Sequence, residues 1–319
     1  MGKLIGIALG AGVTSALLFT VTSTGTSAAL VLAYLAPLPL MIAGLGFTHV
    51  AGGLAALVGG GTVGVALGPV PGLIFLAILG LPAWYLARVA MLGRPGPADG
   101  TVGDATGVEW FPVAQLILRI SASAAGPVLL ACLVVVWRFG GYHSALMALS
   151  ARLSALFGRD TLPGDFSVVD LVRIAPVAMA ASSVVMLSFN LWLAGRVVRI
   201  SERLTRPWPN LPDSIRLPRA TVVGFAALLA GALLPGPFGL GAAVLAAALG
   251  MAFVFEGLAT AHVLTRGFSA RRATLAAIYL TVVFLMPWPL FALVLLGCID
   301  CLASLRGGAA LNIKTTPRS

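Results

Sequence analysis

The segment FVFEGLATAHVL, residues 253–264, sets a glutamate and a histidine inside an otherwise almost wholly apolar run. Between Pro237 and Thr265, Glu256 is the sole residue of formal charge. An unpaired charge in hydrocarbon costs at least ~3 kcal/mol on insertion scales, so a partner is expected. Arg119 offers one. It lies in FPVAQLILRISASAAG, with Gln115 and Ser123 one turn to either side on the same helical face. Thr260 follows Glu256 by one turn. At 1.5 Å per residue, Arg119 is about 13–15 Å from Trp110, and Glu256 is equally far from Arg266. Matched depth and opposite sign predict that Arg119 and Glu256 pair, directly or through water. Such a pair either pins two helices together or lines a polar cavity for a solute or protons. A neutral Glu256 is a third reading.

His262, Asp300, Asn190 and His49 fall in the inside halves of their predicted helices, which suggests a polar vestibule opening toward the cytoplasm. Asp300 lies in LLGCIDCLASLR, whose Cys298 and Cys301 form a C-x-x-C. With Cys132 they are the only cysteines, and all three lie in apolar helices, where packing outweighs a redox role. No metal-ligand spacing, nucleotide-binding loop or nucleophile motif occurs. The expectation is a protein that is not an enzyme and holds no cofactor or metal.

The elements that must position these residues are membrane helices. Hydrophobic residues make up 59% of the 319, charged residues only 9%, and mean hydropathy is +1.04. A soluble domain carries about 25% charged residues. Residues 4–87 contain no Lys, Arg, Asp or Glu at all. The predicted fold is all-α, a polytopic helical membrane bundle of eight to ten spans. They fall near 4–21, 27–44, 48–68, 71–90, 110–137, 174–195, 218–235, 238–265, 272–287 and 289–305. Pro37 and Pro39 mark 35–44 as a broken or re-entrant helix, tolerated only inside protein or facing a cavity. The start is signal-like in outline, but the apolar pattern continues, so residues 4–21 are read as a retained first span.

Alternation of ten spans places fifteen Lys and Arg on one face and four on the other. The rich face is cytoplasmic by the positive-inside rule, and both termini with it. This gives a single transmembrane domain over 1–308 in a bacterial inner membrane, with a cytoplasmic tail at 309–319. Between spans lies an outside amphipathic helix, 142–158. Its Leu146, Leu149, Leu153, Leu156 and Phe157 share a face, and Ser150, Arg152 and Ser154 fall away from it. A basic, Pro-rich inside loop, 196–219, is suited first to anionic lipid and second to a cytoplasmic partner. The net charge of +10 sits at the ends of apolar runs, so nucleic acid is not the partner. Small residues recur every fourth position at Gly6 and Gly10, from Gly52 through Ala56, Gly60 and Gly64 to Gly68, and at Gly239, Ala243 and Ala247. Such faces serve close internal packing or docking of another membrane subunit.

Three stretches, PLPLMIAGLGFTHVAGGLAALVGG (37–60), EGLATAHVLTRG (256–267) and LGCIDCLASLR (296–306), resemble the YybS-like family of predicted bacterial membrane proteins. The resemblance runs over roughly residues 5–306, and that family is of unknown function. Its second stretch begins Gln-Gly-Leu, where this chain has Glu256. Its third runs Leu-Gly-x-x-Asp, then Trp, Asp and Arg. Leu296, Gly297, Asp300 and Arg306 match, whereas Leu302 and Ser304 depart. A position that accepts Gln and Glu needs polarity more than charge. The family is in turn similar to the membrane substrate-binding subunits of energy-coupling-factor vitamin transporters. The function expected is a small-solute permease or such a substrate-binding subunit. The alternative is a non-transporting membrane scaffold or assembly factor in which the buried charges are structural.

Overall fold

The computed structural model describes residues 1–96, 107–157 and 167–306. The tail 309–319, residue 158 and the side chains of Leu156 and Phe157 lie outside the described residues. The described residues are all-α apart from one short antiparallel strand pair, β1 (Gly93–Pro95) with β2 (Val108–Trp110). Among the described residues, seven helical segments are long and apolar enough to cross a membrane. They are α1 (Gly2–Thr20), α2 with α3 (Ser27–Tyr34, Pro37–Gly46), α4 (His49–Leu67), α5 with α6 (Pro69–Phe75, Leu81–Ala90), α7 (Val113–Arg138), α9 (Val168–Ile200) and α12 (Gly236–Leu264). Between α7 and α9 lies α8 (Tyr142–Phe157), and the short α10 (Leu211–Ser214) precedes α11 (Ala220–Ala232). The chain then adds α13 (Arg271–Phe284) and α14 (Trp288–Ala303). The helices α11 and α14 are apolar but shorter than a span. Every one of the ten apolar stretches read from sequence is helical, and this is a polytopic helical membrane protein.

The chain folds as two compact units. The first holds Met1–Pro112, Ser123–Val128 and Ser182–Trp208; the second holds Val113–Ala122, Leu129–Ala181 and Pro209 onward.

In the first unit, glycine sets helix separation. A Cβ on Gly12 would come within 2.5 Å of the Ala55 carbonyl, and one on Gly52 within 2.9 Å of the Gly44 Cα. One on Gly60 would meet Leu76 at 2.4 Å. The 52–64 stripe is therefore internal packing between α4 and its neighbours, whereas Gly6 and Gly10 face open space. Helices α5 and α6 are joined through a π-turn at Leu76–Gly80. The break foreseen in 35–44 is the two-residue interruption between α2 and α3. Pro37 and Pro39 bring no N–H, and Leu38 donates three residues back, to Leu35, instead of four.

In the second unit, Ala114 and Ile117 of α7 pack with Leu217, Ala252, Phe253 and Cys301 into one core cluster. The helix α8 buries Ala145 and Leu146, with Leu149 and Leu153 half-buried beside them. Ser150 was expected to point away but is buried: its hydroxyl donates to the Met147 carbonyl, which satisfies it on the apolar side. The basic segment expected to be a loop from residue 196 is helical to Ile200. Only 201–219 is irregular, and even there α10 interrupts it.

Candidate functional site

Helices α12 and α14 cross at two glycines. A Cβ on Gly257 would lie 2.1 Å from the Leu293 carbonyl oxygen, and one on Gly297 would lie 2.2 Å from that of Phe253. No side chain fits at either point, so the two backbones touch. Glu256 is next to the first glycine and Asp300 is three residues after the second, so the crossing brings the two acids into one neighbourhood. Helix α14 ends at Ser304, which takes the left-handed conformation at φ 52 and ψ 46. That turn reverses the chain and lays Arg306 back over Asp300.

The result is a buried ionic cluster. Arg306 donates from Nε to Asp300 Oδ2 at 2.7 Å, and Nη2 lies 2.6 Å from the same oxygen. The Arg306 backbone N–H donates to Asp300 Oδ1 at 3.1 Å. Nη2 also donates to Glu256 Oε1 at 3.1 Å, and Nη1 to the Pro212 carbonyl at 2.7 Å. The three side chains are 1–3% exposed. Glu256 accepts in addition from the Leu217 N–H, at 3.3 and 3.4 Å to its two oxygens. Cys301 Sγ donates to the Leu217 carbonyl at 3.2 Å. Leu217 is a non-helical residue 5% exposed, seated in the core by its side chain. Its backbone groups have no helix to satisfy them, and an unsatisfied pair in an apolar interior is expensive. Glu256 and Cys301 supply both bonds. Glu256 is where it is because a buried loop segment needs an acceptor, and Arg306 meets the charge.

The partner of Glu256 is thus Arg306 and not Arg119. Arg119 and Gln115 are exposed, and among the described residues Arg119 makes no ion pair. Matched depth along two helices does not make two side chains face each other. Glu256 is 1% exposed at the crossing of α12 and α14, whereas Arg119 is exposed on α7. Glu256 lies six residues, or ~9 Å, past the helix midpoint. Arg266 itself forms a two-pronged pair with Asp213 of α10, at 2.9 and 2.8 Å. The hydrogen bond from Arg266 holds the Asp213 carboxyl below its usual range, with burial opposing.

Thr260 is fully buried and donates back to the Glu256 carbonyl at 2.9 Å. His262 is half-buried and shares a hydrogen bond with Tyr279 at 2.9 Å. Ser123 is half-buried in the first unit, and His49 is exposed. Asn190 is also in the first unit. Its Nδ2 donates to the Tyr34 carbonyl at 2.6 Å and to the Met186 carbonyl at 2.8 Å. Tyr34 is the last residue of α2, so this amide meets backbone freed by the helix break. Ser15 does the same for the Ala36 carbonyl at 2.5 Å, and the Tyr34 and Ser182 hydroxyls bond each other. Asn190 is fully buried, and its Oδ1 has no partner among the described residues.

Sequence reasoning counted Arg306 as one more inside-face arginine. The signal that could have found it is the Leu-Gly-x-x-Asp stretch ending in Arg, whose Gly297, Asp300 and Arg306 are the crossing, the acid and the base. Among the described residues no group of three or more His, Cys, Asp or Glu could hold a metal.

Residues 165–301 match a family described as a predicted membrane protein (DUF2232). The match takes in α9 through α13 and most of α14, including Glu256 and Asp300. No curated protein and no solved structure matches the chain.

Proposed function

We propose that this chain is a small-solute permease or the membrane substrate-binding subunit of a transporter, in the bacterial cytoplasmic membrane with both termini inside. The observation that carries the reading is the α2–α3 break. It falls at the middle of the Ser27–Gly46 span, and it is met by polar side chains of α1 and α9. Discontinuous helices at mid-membrane are how secondary transporters expose backbone and side-chain groups to a solute. Asn190 Oδ1 is the open acceptor there, so the solute is a small molecule bearing an N–H or O–H donor. The resemblance to substrate-binding subunits of energy-coupling-factor transporters supports this by analogy of fold class.

The ionic cluster favours a second reading, a membrane scaffold or assembly factor. Nε, Nη1 and Nη2 of Arg306 are all engaged and both acids are paired, which is the arrangement of a structural lock rather than of an open site. Neither reading gives the chain a catalytic role. Native mass spectrometry of gently purified protein separates the two. A retained small molecule that Asn190→Ala loses while the variant stays folded supports the transport reading. A retained protein partner with no small molecule supports the scaffold.

A further inference from the structure

The last turns of α9 and the chain just beyond carry three arginines, Arg196, Arg199 and Arg203. All three are exposed, and among the described residues none makes an ion pair. Aromatic rings hold them instead. The guanidinium carbons of Arg196 and Arg199 lie 5.6 and 5.5 Å from the centre of the same indole, Trp208, and that of Arg203 lies 4.6 Å from the Phe47 ring. A ring face orients a guanidinium without neutralising it, leaving the planar N–H edges free.

Trp208 is itself held in place. It packs on Gly195, where a Cβ would come within 3.1 Å of the ring. Two residues earlier Arg206 fixes the segment by donating to the Ala90 and Phe111 carbonyls at 2.7 and 2.8 Å. Burial in that socket lowers the pKa of Arg206 from its ordinary value. After Ile200 the chain turns back through Glu202 at φ 56, and the Arg203 N–H bonds the Val198 carbonyl. Arg203 therefore stays near the helix end.

Depth identifies what the three face. The apolar stretch of α9 read from sequence ends at residue 195, so Arg196 and Arg199 fall within the first ~6 Å beyond the hydrocarbon, which is the headgroup layer. Val197 and Ile200 between them are 36% and 77% exposed, so apolar surface runs alongside the guanidiniums. A soluble acidic peptide would leave that surface in water, whereas a lipid covers both parts.

We propose that Arg196, Arg199 and Arg203, braced by Trp208 and Phe47, form a binding site for the phosphodiester headgroup of an anionic glycerophospholipid, with the acyl chains along Val197 and Ile200. The site does not depend on whether the chain carries a solute. Each juxtamembrane arginine contributes about fivefold to anionic-lipid affinity, so removing two should weaken binding about twenty-five-fold.

The test is native mass spectrometry of the full chain in detergent, titrated in parallel with phosphatidylglycerol, phosphatidylcholine and water-soluble glycerophosphate. The expected result is saturable retention of phosphatidylglycerol above phosphatidylcholine. Arg196→Gln with Arg199→Gln should lower it about twenty-five-fold. Trp208→Ala should lower it less, since charge remains but orientation is lost. The control pair Arg152→Gln with Arg272→Gln removes the same charge from other exposed positions and should leave retention unchanged. Glycerophosphate competing as well as the lipid would overturn the lipid assignment in favour of a free phosphate ester. Equal retention of the two lipids, or an equal fall in the control pair, would overturn the site altogether.

Discussion

Each of the two units buries a polar construction, and they are built by opposite means. In the second, Glu256, Asp300 and Arg306 are charged, nearly inaccessible and fully engaged with one another and with backbone. In the first, the α2–α3 break is met by neutral groups, Ser15 and Asn190, and one acceptor is left over. Both solve the same problem, irregular backbone in an apolar interior. The charged solution serves the end of α10 and the irregular chain after it, where the Pro212 carbonyl and the buried Leu217 N–H need partners. The neutral one serves a gap of two residues within a single span. A charged cluster is strong only when complete, because removing one member strands the others. A neutral contact can be left partly open at much lower cost, which is why the open acceptor is at the break and not in the cluster.

The contrast can be broken most forcefully at Arg306. Arg306→Ala leaves two carboxylates buried without a cation and should cost about 3–5 kcal/mol, read as a large fall in melting temperature in detergent. Glu256→Gln should be far milder, since an amide keeps the bond from Leu217. In a cycle with Arg306→Ala, Glu256→Ala should recover part of the loss. Strict additivity would mean that the two side chains do not interact.

Gly297→Ala attacks the crossing that assembles the cluster. A Cβ there must displace the Phe253 carbonyl, at a cost of about 1–3 kcal/mol or more. The same substitution at Gly6 or Gly10 meets open space and should be silent, so similar melting temperatures for the two would refute the close approach of α12 and α14. At the break, Asn190→Ala leaves the Tyr34 carbonyl unmet and should cost about 1–3 kcal/mol. A loss as large as that of Arg306→Ala would erase the distinction between charged and neutral solutions.

The half-buried pair Asp213–Arg266 gives a smaller, pH-dependent effect. With its folded pKa lowered, Asp213 contributes stability at neutral pH that is lost as pH falls through that lowered value, below about 4. Solvent screening keeps it under about 1 kcal/mol. Comparing acid unfolding of the parent with Asp213→Asn should show the parent's advantage vanish at low pH, and an advantage that grew there would reverse the sign. Least of all, Arg119→Ala should stay within about 0.5 kcal/mol, as an exposed position does. A loss of several kcal/mol would restore Arg119 as a buried partner.

Much of this was legible from the residues. The ten apolar stretches and the break announced by Pro37 and Pro39 follow from composition and spacing, whereas the Gly52–Gly64 stripe left packing and docking open until the close contacts of α4 decided it. The choice of Glu256 as a buried charge that needs a partner follows likewise, whereas Asp300 and Asn190, expected with His262 and His49 in a polar vestibule, are buried and His49 is exposed. The pairing with Arg119 failed because depth along a helix does not say which way a side chain faces, and Arg119 is exposed while Glu256 is buried against α14. Arg306 escaped because six residues separate it from Asp300, outside the three- and four-residue neighbourhoods of a helix. Only the left-handed turn at Ser304 brings it back.

Hydropathy is a property of each segment taken alone, since burial of apolar surface needs no particular neighbour. The sequence by itself therefore determined that the chain is a membrane protein, where its helices run and which side chains must not be left unpaired. Ion pairing and hydrogen bonding depend on distances of about 3 Å between residues far apart in the chain. Glu256 and Arg306 are fifty residues apart. Their meeting was decided by tertiary structure, through two glycines that let α12 and α14 touch, one reversed turn, and a leucine whose buried backbone required an acceptor.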